Sequence, residues 1–530
     1  MKKRMLTSIL LSSLLAVSLM GCGSSSSGTS AGQTTAAPGT QAAQTTAAPS
    51  GGDSAPEAPG AIDTVTMLVN YKATETPAAD NPIILAIKEH TGTNLDVMWV
   101  PQDAFEEKIN TLMASQQLPM VTVIREIKSS GFINAARSGM FWDLAPYIDQ
   151  FENLSKLDKN VMTNVQTDGK QYLIPRVRQT ARMGGIIRSD WLENLGLEMP
   201  TTLDELHQIL YAFTYNDPDK NGIDDTIGCS MNNTEMKNDS TLLTVYMGGC
   251  NKWQANSDGS FTSKYETETY EKSLTLLHDW YEEGLINKDF PINEDELSNF
   301  TSGRAGMMWL GNLEDASTRI SNLNAINPDA KADIFQILTK EPGGDKHIVG
   351  FRGYTGCIAI PTTSVKTEEE LLQVLAFLDK LGEPAMCDLF NYGIEGESYS
   401  IADGGVTQTE EQLTVYANKY NQLRQITPFY TFTNLTVSQQ TPLAQKVADL
   451  MNTNTAYTVF DPSLPFISET ETELGGTTGE LATFIEDACT NYIIGEISLD
   501  DWRKAVETWK GMGGDTVAQE FAQQYQAAGN

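Results

Sequence analysis

The sequence predicts an α/β fold arranged as two lobes, and two observations carry this prediction. Apolar residues near the start of the folded part switch between strand and helix periodicities, which is typical of a parallel sheet covered by helices. The folded part is about 470 residues long, which is more than one hydrophobic core usually supports. The chain holds 8 Trp, 18 Tyr and 18 Phe, enough large apolar side chains to fill two cores.

The folded part opens with a strand, helix, strand, helix, strand pattern. Strands are predicted at Thr64–Val69, Leu95–Trp99 and Val121–Ile124. Helical spacing over Asn81–His90 predicts the first helix, which Thr91-Gly92 ends. The second helix has the apolar face Phe105, Ile109, Leu112 and Met113, and Asp103 with Glu106 predicts a capping box at its start.

The same patterns continue through the rest of the chain. Short apolar runs predict buried strands at Gly185–Ile187, Ala305–Leu310 and Ile334–Leu338. Further helices are predicted to begin at Thr201–Leu206 and to cover Tyr270–Gly284, Glu368–Leu381 and Asp500–Lys510. We expect Asp500 to cap the last helix, which buries Trp502, Val506 and Trp509. The chain is therefore α/β throughout.

The first residues predict a signal peptide over residues 1–21. Three basic residues at positions 2–4 precede an uncharged apolar run that is too short to span a membrane. The run ends in Leu-Met-Gly-Cys22, which resembles the bacterial lipobox and implies that the Cys22 thiol is diacylated. An ordinary secretory peptide with an incidental cysteine is the alternative.

Residues 22–60 predict a lipidated cysteine followed by a disordered tether. The segment consists mainly of Ser, Thr, Ala, Gly, Gln and Pro and repeats Gln-Thr-Thr-Ala-Ala-Pro twice. Such a composition cannot bury a core. We therefore expect a protein held by its lipid at the extracellular face of the cell membrane, with no other membrane contact.

The charge balance argues against a nucleic-acid partner. The formal net charge is −33, from 36 basic and 69 acidic residues. Loss of the three basic residues of the signal peptide leaves 33 against 69, a net charge of −36. A chain this acidic repels phosphate backbones.

The cysteines do not form a disulfide scaffold. Beyond Cys22 they are odd in number and scattered, at Cys229, Cys250, Cys357, Cys387 and Cys489. We expect buried free thiols, with a Cys229–Cys250 disulfide as the alternative. The four histidines have no metal-ligand spacing.

Several short phrases, in a fixed order, resemble one protein family. They are Lys88–Gly92, Ala114–Pro119, Asp190–Leu197 with Pro200–Thr202, Glu282–Ile286, Phe300–Met307, Asn391–Gly396 and Ile494–Glu496. Together they resemble the extracellular solute-binding lipoproteins of ATP-driven sugar importers, in the branch linked to complex oligosaccharides and aldouronates. The resemblance covers residues 61–530.

This resemblance implies a periplasmic-binding-protein-like fold, in which two α/β lobes joined by several crossings close over a ligand. One lobe would take residues 61–184 and 346–400, and the other 185–345 and 401–530. The chain departs from the family pattern at Met120, where relatives often have an Asp after the Pro. A ligand contact through that Asp is therefore not expected.

The loop that starts at Asp217 predicts a calcium site. Its oxygen ligands would be Asp217, Asp219, Asn221, Asp225 and the Ile223 carbonyl, with a glycine at the sixth position for the sharp turn. The twelfth position is Gly228 instead of the glutamate of an EF-hand. The loop is similar to the structural calcium loop of alginate-binding relatives, and a metal-free turn is the alternative.

Arginines cluster where the resemblance places the first crossing between lobes, at Arg176, Arg178, Arg182 and Arg188, and Arg352 with Tyr354 follows the second. Guanidinium groups bind carboxylates in bidentate fashion, so Arg178, Arg182 and Arg352 are candidate ligands for a uronic-acid sugar. Sugar rings stack on aromatic side chains, for which the candidates are Trp309, Tyr354, Tyr392 and Tyr399. Local ion pairs and core packing are the alternatives. We assign Trp142, Trp191, Trp280 and Trp502 to packing.

We predict a binding protein and not an enzyme, because the chain lacks the nucleophile-elbow, zinc-protease, Walker and dinucleotide motifs. It would capture an oligosaccharide and deliver it to the permease subunits of an ABC importer. We expect a monomer with structural Ca²⁺ and no organic cofactor. A carbohydrate sensor or adhesin-type lipoprotein without transport remains an alternative, and so does a secreted glycoside hydrolase, which needs only two carboxylates.

Overall fold

The computed structural model describes residues 62–72, 75–293, 295–402, 404–430, 435–436 and 441–529. They belong to one compact unit, Pro59–Asn530. The predicted signal peptide, Cys22 and nearly all of the tether lie outside the described residues. Within these ranges, no helix has both the length and the apolar character needed to cross a membrane.

The described strands form two main sheets and three small two-stranded ones. In chain order they are β1 Thr64–Tyr71, β2 Asn94–Pro101, β3 Val121–Ile124, β4 Leu173–Val177, β5 Gly184–Arg188, β6 Ile227–Ser230, β7 Trp253–Ala255, β8 Phe261–Ser263, β9 Ala305–Leu310, β10 Ala332–Phe335, β11 Ile348–Gly350, β12 Tyr354–Ala359, β13 Ser400–Ala402, β14 Gly405–Thr407 and β15 Thr458–Phe460. The first sheet has the order β2-β1-β3-β12-β4, and the second has the order β10-β5-β9-β6.

Both main sheets mix parallel and antiparallel pairs. In the first sheet, β1 is parallel to β2 and β3, whereas β12 is antiparallel to β3 and β4. In the second sheet, β6 and β9 are parallel, and β5 is antiparallel to β9 and β10. The antiparallel partners come from distant parts of the chain, so local periodicity can predict these strands but not their pairing.

Helices cover the sheets and carry most of the core. They are α1 Pro82–Thr91, α2 Phe105–Ala114, α3 Ser130–Arg137, α4 Ala145–Ile148, α5 Lys159–Asn164, α6 Ser189–Leu195, α7 Leu203–Tyr215, α8 Asn233–Tyr246, α9 Glu268–Glu282, α10 Glu296–Thr301, α11 Ala316–Ile326, α12 Glu368–Lys380, α13 Pro384–Tyr392, α14 Glu410–Lys419, α15 Pro442–Asn454, α16 Glu469–Glu473, α17 Glu480–Ile493, α18 Leu499–Trp509 and α19 Asp515–Ala527. The predicted α/β class is confirmed.

Local signals fix several helix ends as the sequence predicts. Gly92 ends α1 with φ +78° and donates its N–H to the Lys88 carbonyl at 2.9 Å. Thr202 and Glu205 form a capping box at the start of α7. Each cap satisfies backbone groups that the helix itself cannot pair.

Three predicted helix details are wrong. Helix α2 begins at Phe105 after a 3₁₀ turn, Gln102–Ala104, and has no side-chain cap, so Asp103 and Glu106 form no capping box. Ser498, not Asp500, caps α18. A further helix, α19, follows beyond Gly513, whose φ of +145° breaks the helical path.

The apolar side chains pack into two large cores. The first core surrounds the five-stranded sheet and draws on residues 65–174 and 354–426. The second draws on residues 181–349 and 466–521, and a smaller cluster with Phe300 and Met308 packs on the other face of the second sheet. The boundaries of the two lobes stay a prediction. Tyr420, Leu423 and Ile426 pack in the first core, although the sequence assigned residues 401–530 to the second lobe.

The chain crosses between the cores near residues 175–180 and 350–353 and again after Ile426. These crossing segments are hydrogen bonded to one another. The Arg178 N–H donates to the Gly353 carbonyl at 2.8 Å, and the Phe351 N–H donates to the Thr180 carbonyl at 3.1 Å. The Val177 N–H donates to the Pro428 carbonyl at 2.9 Å. The crossings therefore form one connected region between the lobes.

The five cysteines in the described ranges are free thiols, as predicted. Cys250 is half-buried and the other four are buried. Burial raises the pKa of each of these thiols. Trp191, Trp280 and Trp502 are buried in the second core, which confirms their assignment to packing.

Candidate functional site

Three cavities lie side by side where the crossing segments meet the second core. We name them the Trp309 cavity, of about 400 Å³, the Arg352 cavity, of about 290 Å³, and the Lys264 cavity, of about 180 Å³. Arg182 and Phe351 line both of the first two, and Lys252 lines the second and third. Asn238 of α8 lines all three, so α8 runs along the whole row.

The Trp309 cavity concentrates polar groups that have no partner. Among the described residues, five buried polar atoms of its lining make no hydrogen bond: Arg182 Nε, Asp239 Oδ2, Trp309 Nε1, Asn312 Oδ1 and Arg319 Nε. Leaving one such group unsatisfied costs about 1–3 kcal/mol. The set contains donors and acceptors, which suits a ligand whose groups both donate and accept.

Carboxylates crowd one wall of this cavity. Asp239 is 2% exposed, and its pKa is raised well above the usual value by burial and then by the charges of Glu296 and Glu235. Burial, and then Glu235, raises the pKa of Glu296 to about 7, against the opposing charge of Arg319. At neutral pH this wall therefore holds protons as well as charges, and it can both donate to and accept from a ligand.

Arg178 and Arg182, two of the predicted ligand contacts, line the Trp309 cavity. The Arg182 guanidinium lies 4.2 Å from the centroid of the Phe351 ring. Burial, and then the charge of Arg178, lowers the pKa of Arg182 to about 10. Arg178 lies 3.6 Å from the Glu314 carboxylate and is about a quarter exposed. Both guanidinium groups are thus placed for a ligand in the Trp309 cavity.

The other two clustered arginines are buried and make contacts within the folded structure. Arg176 is 1% exposed and donates to the side chain of Gln425. Arg188 is 3% exposed and makes a bidentate ion pair with Asp190, with distances of 2.6 and 2.8 Å. Neither lines any of the cavities described here. These two follow the alternative of local pairing.

Arg352 lies at the surface, whereas Tyr354 lies in the core. Arg352 is exposed, lines the Arg352 cavity with Lys252 and Asp461, and lies 4.7 Å from the centroid of the Tyr354 ring. Tyr354 is 6% exposed and packs in the first core, where burial raises its pKa. Arg352 thus lines a cavity, and Tyr354 packs against it from the core.

Trp309 lines the cavity that bears its name, but its ring belongs to the core. The side chain is 3% exposed and packs edge-on against Phe335, with a centroid distance of 5.9 Å. It offers an indole N–H more than a stacking face. The half-buried Phe351 ring, which the sequence analysis did not single out, is the better placed aromatic surface.

Tyr392 and Tyr399 contact each other instead of the cavities. Their ring centroids are 5.6 Å apart, and Tyr392 is buried while Tyr399 is half-buried. Neither lines a cavity described here. The structure therefore does not bring them together with Trp309, because helix α13 packs on the first core.

Sequence reasoning missed seven polar residues of the Trp309 cavity: Glu235, Asn238, Asp239, Glu296, Asn312, Asp315 and Arg319. One signal was available in α8. This helix buries Asp239, Ser240, Thr241 and Thr244 among its apolar residues. Buried polar residues in the middle of a helix need partners, so this pattern indicates a polar site beside α8.

The loop predicted to bind calcium brings together the side chains of four expected ligands. The Asn221 N–H donates to Asp217 Oδ1 at 3.1 Å, and its amide Nδ2 donates to Asp219 Oδ2 at 2.9 Å and Asp225 Oδ1 at 3.3 Å. Partial burial, and then a hydrogen bond that protonated Asp219 donates to Asp217, raise the pKa of Asp219, whereas the hydrogen bond from the Asn221 N–H lowers it. Crowded oxygens of this kind suit Ca²⁺. The Ile223 N–H donates to Asn221 Oδ1 at 2.6 Å.

Among the described residues, no three or more His, Cys, Asp or Glu side chains stand in a metal-binding arrangement. The twelfth loop position explains the departure from an EF-hand. Gly228 lies in β6, and a Cβ there would stand 2.7 Å from the Leu210 carbonyl oxygen. A glutamate therefore does not fit at this position.

Comparisons with known proteins agree with the fold. Residues 72–386 match the family described as bacterial extracellular solute-binding protein. The chain is 33% identical over 486 residues to lipoprotein LipO of Bacillus subtilis (strain 168), and the aligned region covers 90% of this chain and 95% of LipO. It is 35% identical over 448 residues to the polygalacturonan/rhamnogalacturonan-binding protein YtcQ of the same organism, with 84% and 88% covered.

A solved structure of an extracellular solute-binding protein from Bifidobacterium longum subsp. infantis has the same fold. The two structures superpose with a TM-score of 0.67 at 17% sequence identity. The aligned region covers 88% of this chain and 98% of the other. The family match extends over more than half of the chain, and the identity to LipO exceeds 30% over nearly all of it. The chain therefore belongs to the bacterial extracellular solute-binding proteins.

Proposed function

We propose that this protein captures an oligosaccharide in the row of cavities beside the crossing segments and delivers it to an ABC importer. The observation that carries the proposal is the set of five unpartnered polar atoms around the Trp309 cavity. Sugar hydroxyls both donate and accept hydrogen bonds, so one sugar ring can satisfy several of these atoms at once. The adjoining cavities supply room for further rings.

An acidic oligosaccharide fits the charges best. Arg178, Arg182 and Arg319 line the Trp309 cavity, and Arg352 lines the next one. Guanidinium groups pair with carboxylates, and the carboxyl groups of Asp239 and Glu296, whose pKa values are raised by burial, suit hydroxyls. The name of YtcQ, a polygalacturonan/rhamnogalacturonan-binding protein, supports the same substrate class.

Closure over the ligand would be supported by a contact between the lobes. Lys128, which follows β3 in the first lobe, donates to the Phe466 carbonyl at 2.6 Å and lies 3.5 Å from the Ser463 carbonyl. Phe466 belongs to the second core. A ligand that contacts both lobes favours the closed form by its difference in affinity for the two forms.

The remaining parts of the proposal rest on the sequence. Diacylated Cys22 would anchor a monomeric protein at the extracellular face of the membrane, and the loop at Asp217–Asp225 would hold a structural Ca²⁺. We propose a binding protein without catalytic activity or organic cofactor. Replacing Cys22 with alanine should release the protein from the membrane fraction, whereas retention there would contradict the lipid anchor.

Isothermal titration of the purified protein tests the main proposal. Trigalacturonate and neutral galactotriose are titrated into wild type, Asp239→Asn and the surface control Asp500→Asn. We expect wild type and the control to bind trigalacturonate more tightly than galactotriose, and Asp239→Asn to bind both more weakly. Binding of neither sugar, or equal binding by all three proteins, would contradict this site. Shortened sugars in the recovered mixture would indicate a hydrolase.

A further inference from the structure

Lys264 is a buried cation without an acidic partner. It is 5% exposed, and no described carboxylate lies within ion-pair distance of its ammonium group. Its Nζ donates to Thr241 Oγ1 at 2.7 Å and lies 4.8 Å from the Tyr270 ring centroid and 5.1 Å from that of Tyr265. An ammonium has three donors, so two lack an acceptor among the described residues. Burying a charge in this way is costly unless it is paired.

This ammonium lines a cavity that has room for a ring. The Lys264 cavity has a volume of about 180 Å³, and an engineered protein cavity of about 150 Å³ admits benzene. One part of its lining is apolar and includes Trp253, Leu481, Ile485 and Trp509. Lys237, Lys252 and Lys264 lie among the remaining residues. An apolar wall beside ammonium groups matches a ring that bears one carboxylate.

The cavity continues the row that we propose as the binding site. It shares Asn238, Thr241 and Lys252 with the Arg352 cavity. We propose that the Lys264 cavity is a carboxylate-binding subsite that takes an acidic terminal sugar of the bound oligosaccharide, with its carboxylate on Lys264. This inference rests on the proposed function and adds the position at which an acidic sugar is selected.

Other charged groups face the same cavity. They are Lys237 with Glu486, which are 3.5 Å apart, together with Lys252 and Glu471. Burial raises the pKa of Glu471, against the charges of Lys128 and Lys252. The nearby thiols and phenols, Cys250, Cys489, Tyr265 and Tyr270, have pKa values raised by burial and are neutral around pH 8. Lys237 is already paired and Lys252 is exposed, so the buried Lys264 is the better partner for a ligand carboxylate.

Lys264 gives the subsite a signature in proton binding. Burial lowers the pKa of its ammonium to about 8. At pH 8.5 about three quarters of the Lys264 side chains are then neutral. A carboxylate in contact favours the charged form, so binding at pH 8.5 should take up as much as about 0.7 proton per complex. At pH 6.5 the group is already protonated, and uptake at this residue should be near zero.

Isothermal titration measures this proton uptake when it is repeated in two buffers that differ in heat of ionisation. Wild type is titrated with trigalacturonate and with galactotriose at pH 6.5 and at pH 8.5. We expect uptake at pH 8.5 with trigalacturonate only. Lys264→Met should weaken trigalacturonate binding about 10- to 100-fold, abolish the uptake and leave galactotriose binding unchanged. The control Lys272→Met, at an exposed residue paired with Glu268, should behave as wild type.

The outcomes separate this inference from the proposed function. Tight binding of trigalacturonate by wild type without proton uptake at pH 8.5 would overturn the Lys264 subsite and leave the proposed function standing. Unchanged preference for trigalacturonate in a folded Lys264→Met variant would do the same. Binding of neither sugar by wild type would overturn both. The wild-type proton measurement decides the question even if the variant does not fold.

Discussion

Replacing Arg182 with methionine should stabilise the free protein and weaken ligand binding. The guanidinium lacks an ion pair among the described residues, and burial lowers its pKa to about 10. This decrease in pKa corresponds to about 3 kcal/mol against the charged form. The contact with Phe351 at 4.2 Å offsets about 1–2 kcal/mol. Methionine keeps an apolar stem on Phe351, so we expect a gain of about 1–2 kcal/mol in the free energy of unfolding.

The same substitution removes a charge-assisted hydrogen bond to an acidic ligand. Such a bond is worth about 1.5–3 kcal/mol, which corresponds to an increase of about 10- to 150-fold in Kd for trigalacturonate. Urea unfolding gives the stability, and isothermal titration gives the Kd. Arg503→Met is a suitable control, because Arg503 is exposed and paired with Glu271 at 2.7 Å. Exposed pairs contribute about 0–1 kcal/mol.

Stability and affinity should thus change in opposite directions in Arg182→Met and hardly at all in Arg503→Met. A folded Arg182→Met protein that is less stable than wild type, with an unchanged Kd, would refute the reasoning. That result would mean that the guanidinium holds the fold together and does not meet the ligand.

Three further predictions concern pH, metal and closure. The pKa of Glu296 is raised to about 7, so the folded state keeps a proton that the unfolded chain releases. The free energy of unfolding should therefore fall between about pH 4.5 and 7 and level off above pH 7. In urea unfolding, Glu296→Gln should remove up to about 3 kcal/mol of this fall. The same pH dependence in Glu296→Gln and wild type would contradict the prediction. Ca²⁺ at 100 times its Kd should raise the free energy of unfolding of wild type and of the control Asp224→Asn by about 2.7 kcal/mol, but not that of Asp219→Asn. Calorimetry with and without chelator measures this effect. An unfolding temperature that is the same in both conditions would indicate a metal-free turn. Lys128→Met loses the hydrogen bond to the Phe466 carbonyl. We therefore expect it to bind trigalacturonate about 10-fold more weakly than wild type, and its complex to have a larger radius of gyration in X-ray scattering. A complex as tight and as compact as that of wild type would count against this contact.

The sequence predicted local structure well because local structure depends on neighbouring residues. The alternation over Thr64–Val69 lies in β1, and Gly92 ends α1 as expected. Thr202 and Glu205 form the expected capping box. Where the local signal was ambiguous, the prediction was wrong. Ser498 and Asp500 both precede the apolar face of α18, and the structure uses Ser498 as the cap.

The candidate site was only partly predictable. Arg178, Arg182 and Arg352 reach the cavities because they lie on the crossing segments, which the family resemblance located. Tyr392 and Tyr399 were candidates for stacking on a sugar ring, yet they contact each other beside the first core. Aromatic residues serve cores and binding sites equally well, so their type alone does not distinguish the two.

The sequence by itself determined the α/β class, the order of the first strands and helices, the family, and the arginines near the crossings. These follow from periodicity, caps and short phrases, each contained in a few residues. Only the tertiary structure decided which polar groups meet. Asp239 and Glu296 come together across 57 positions of chain, and Lys264 lies beside an empty volume and not beside a carboxylate. A cavity is defined by what several distant elements leave unfilled when they pack, and that property belongs to no single stretch of sequence.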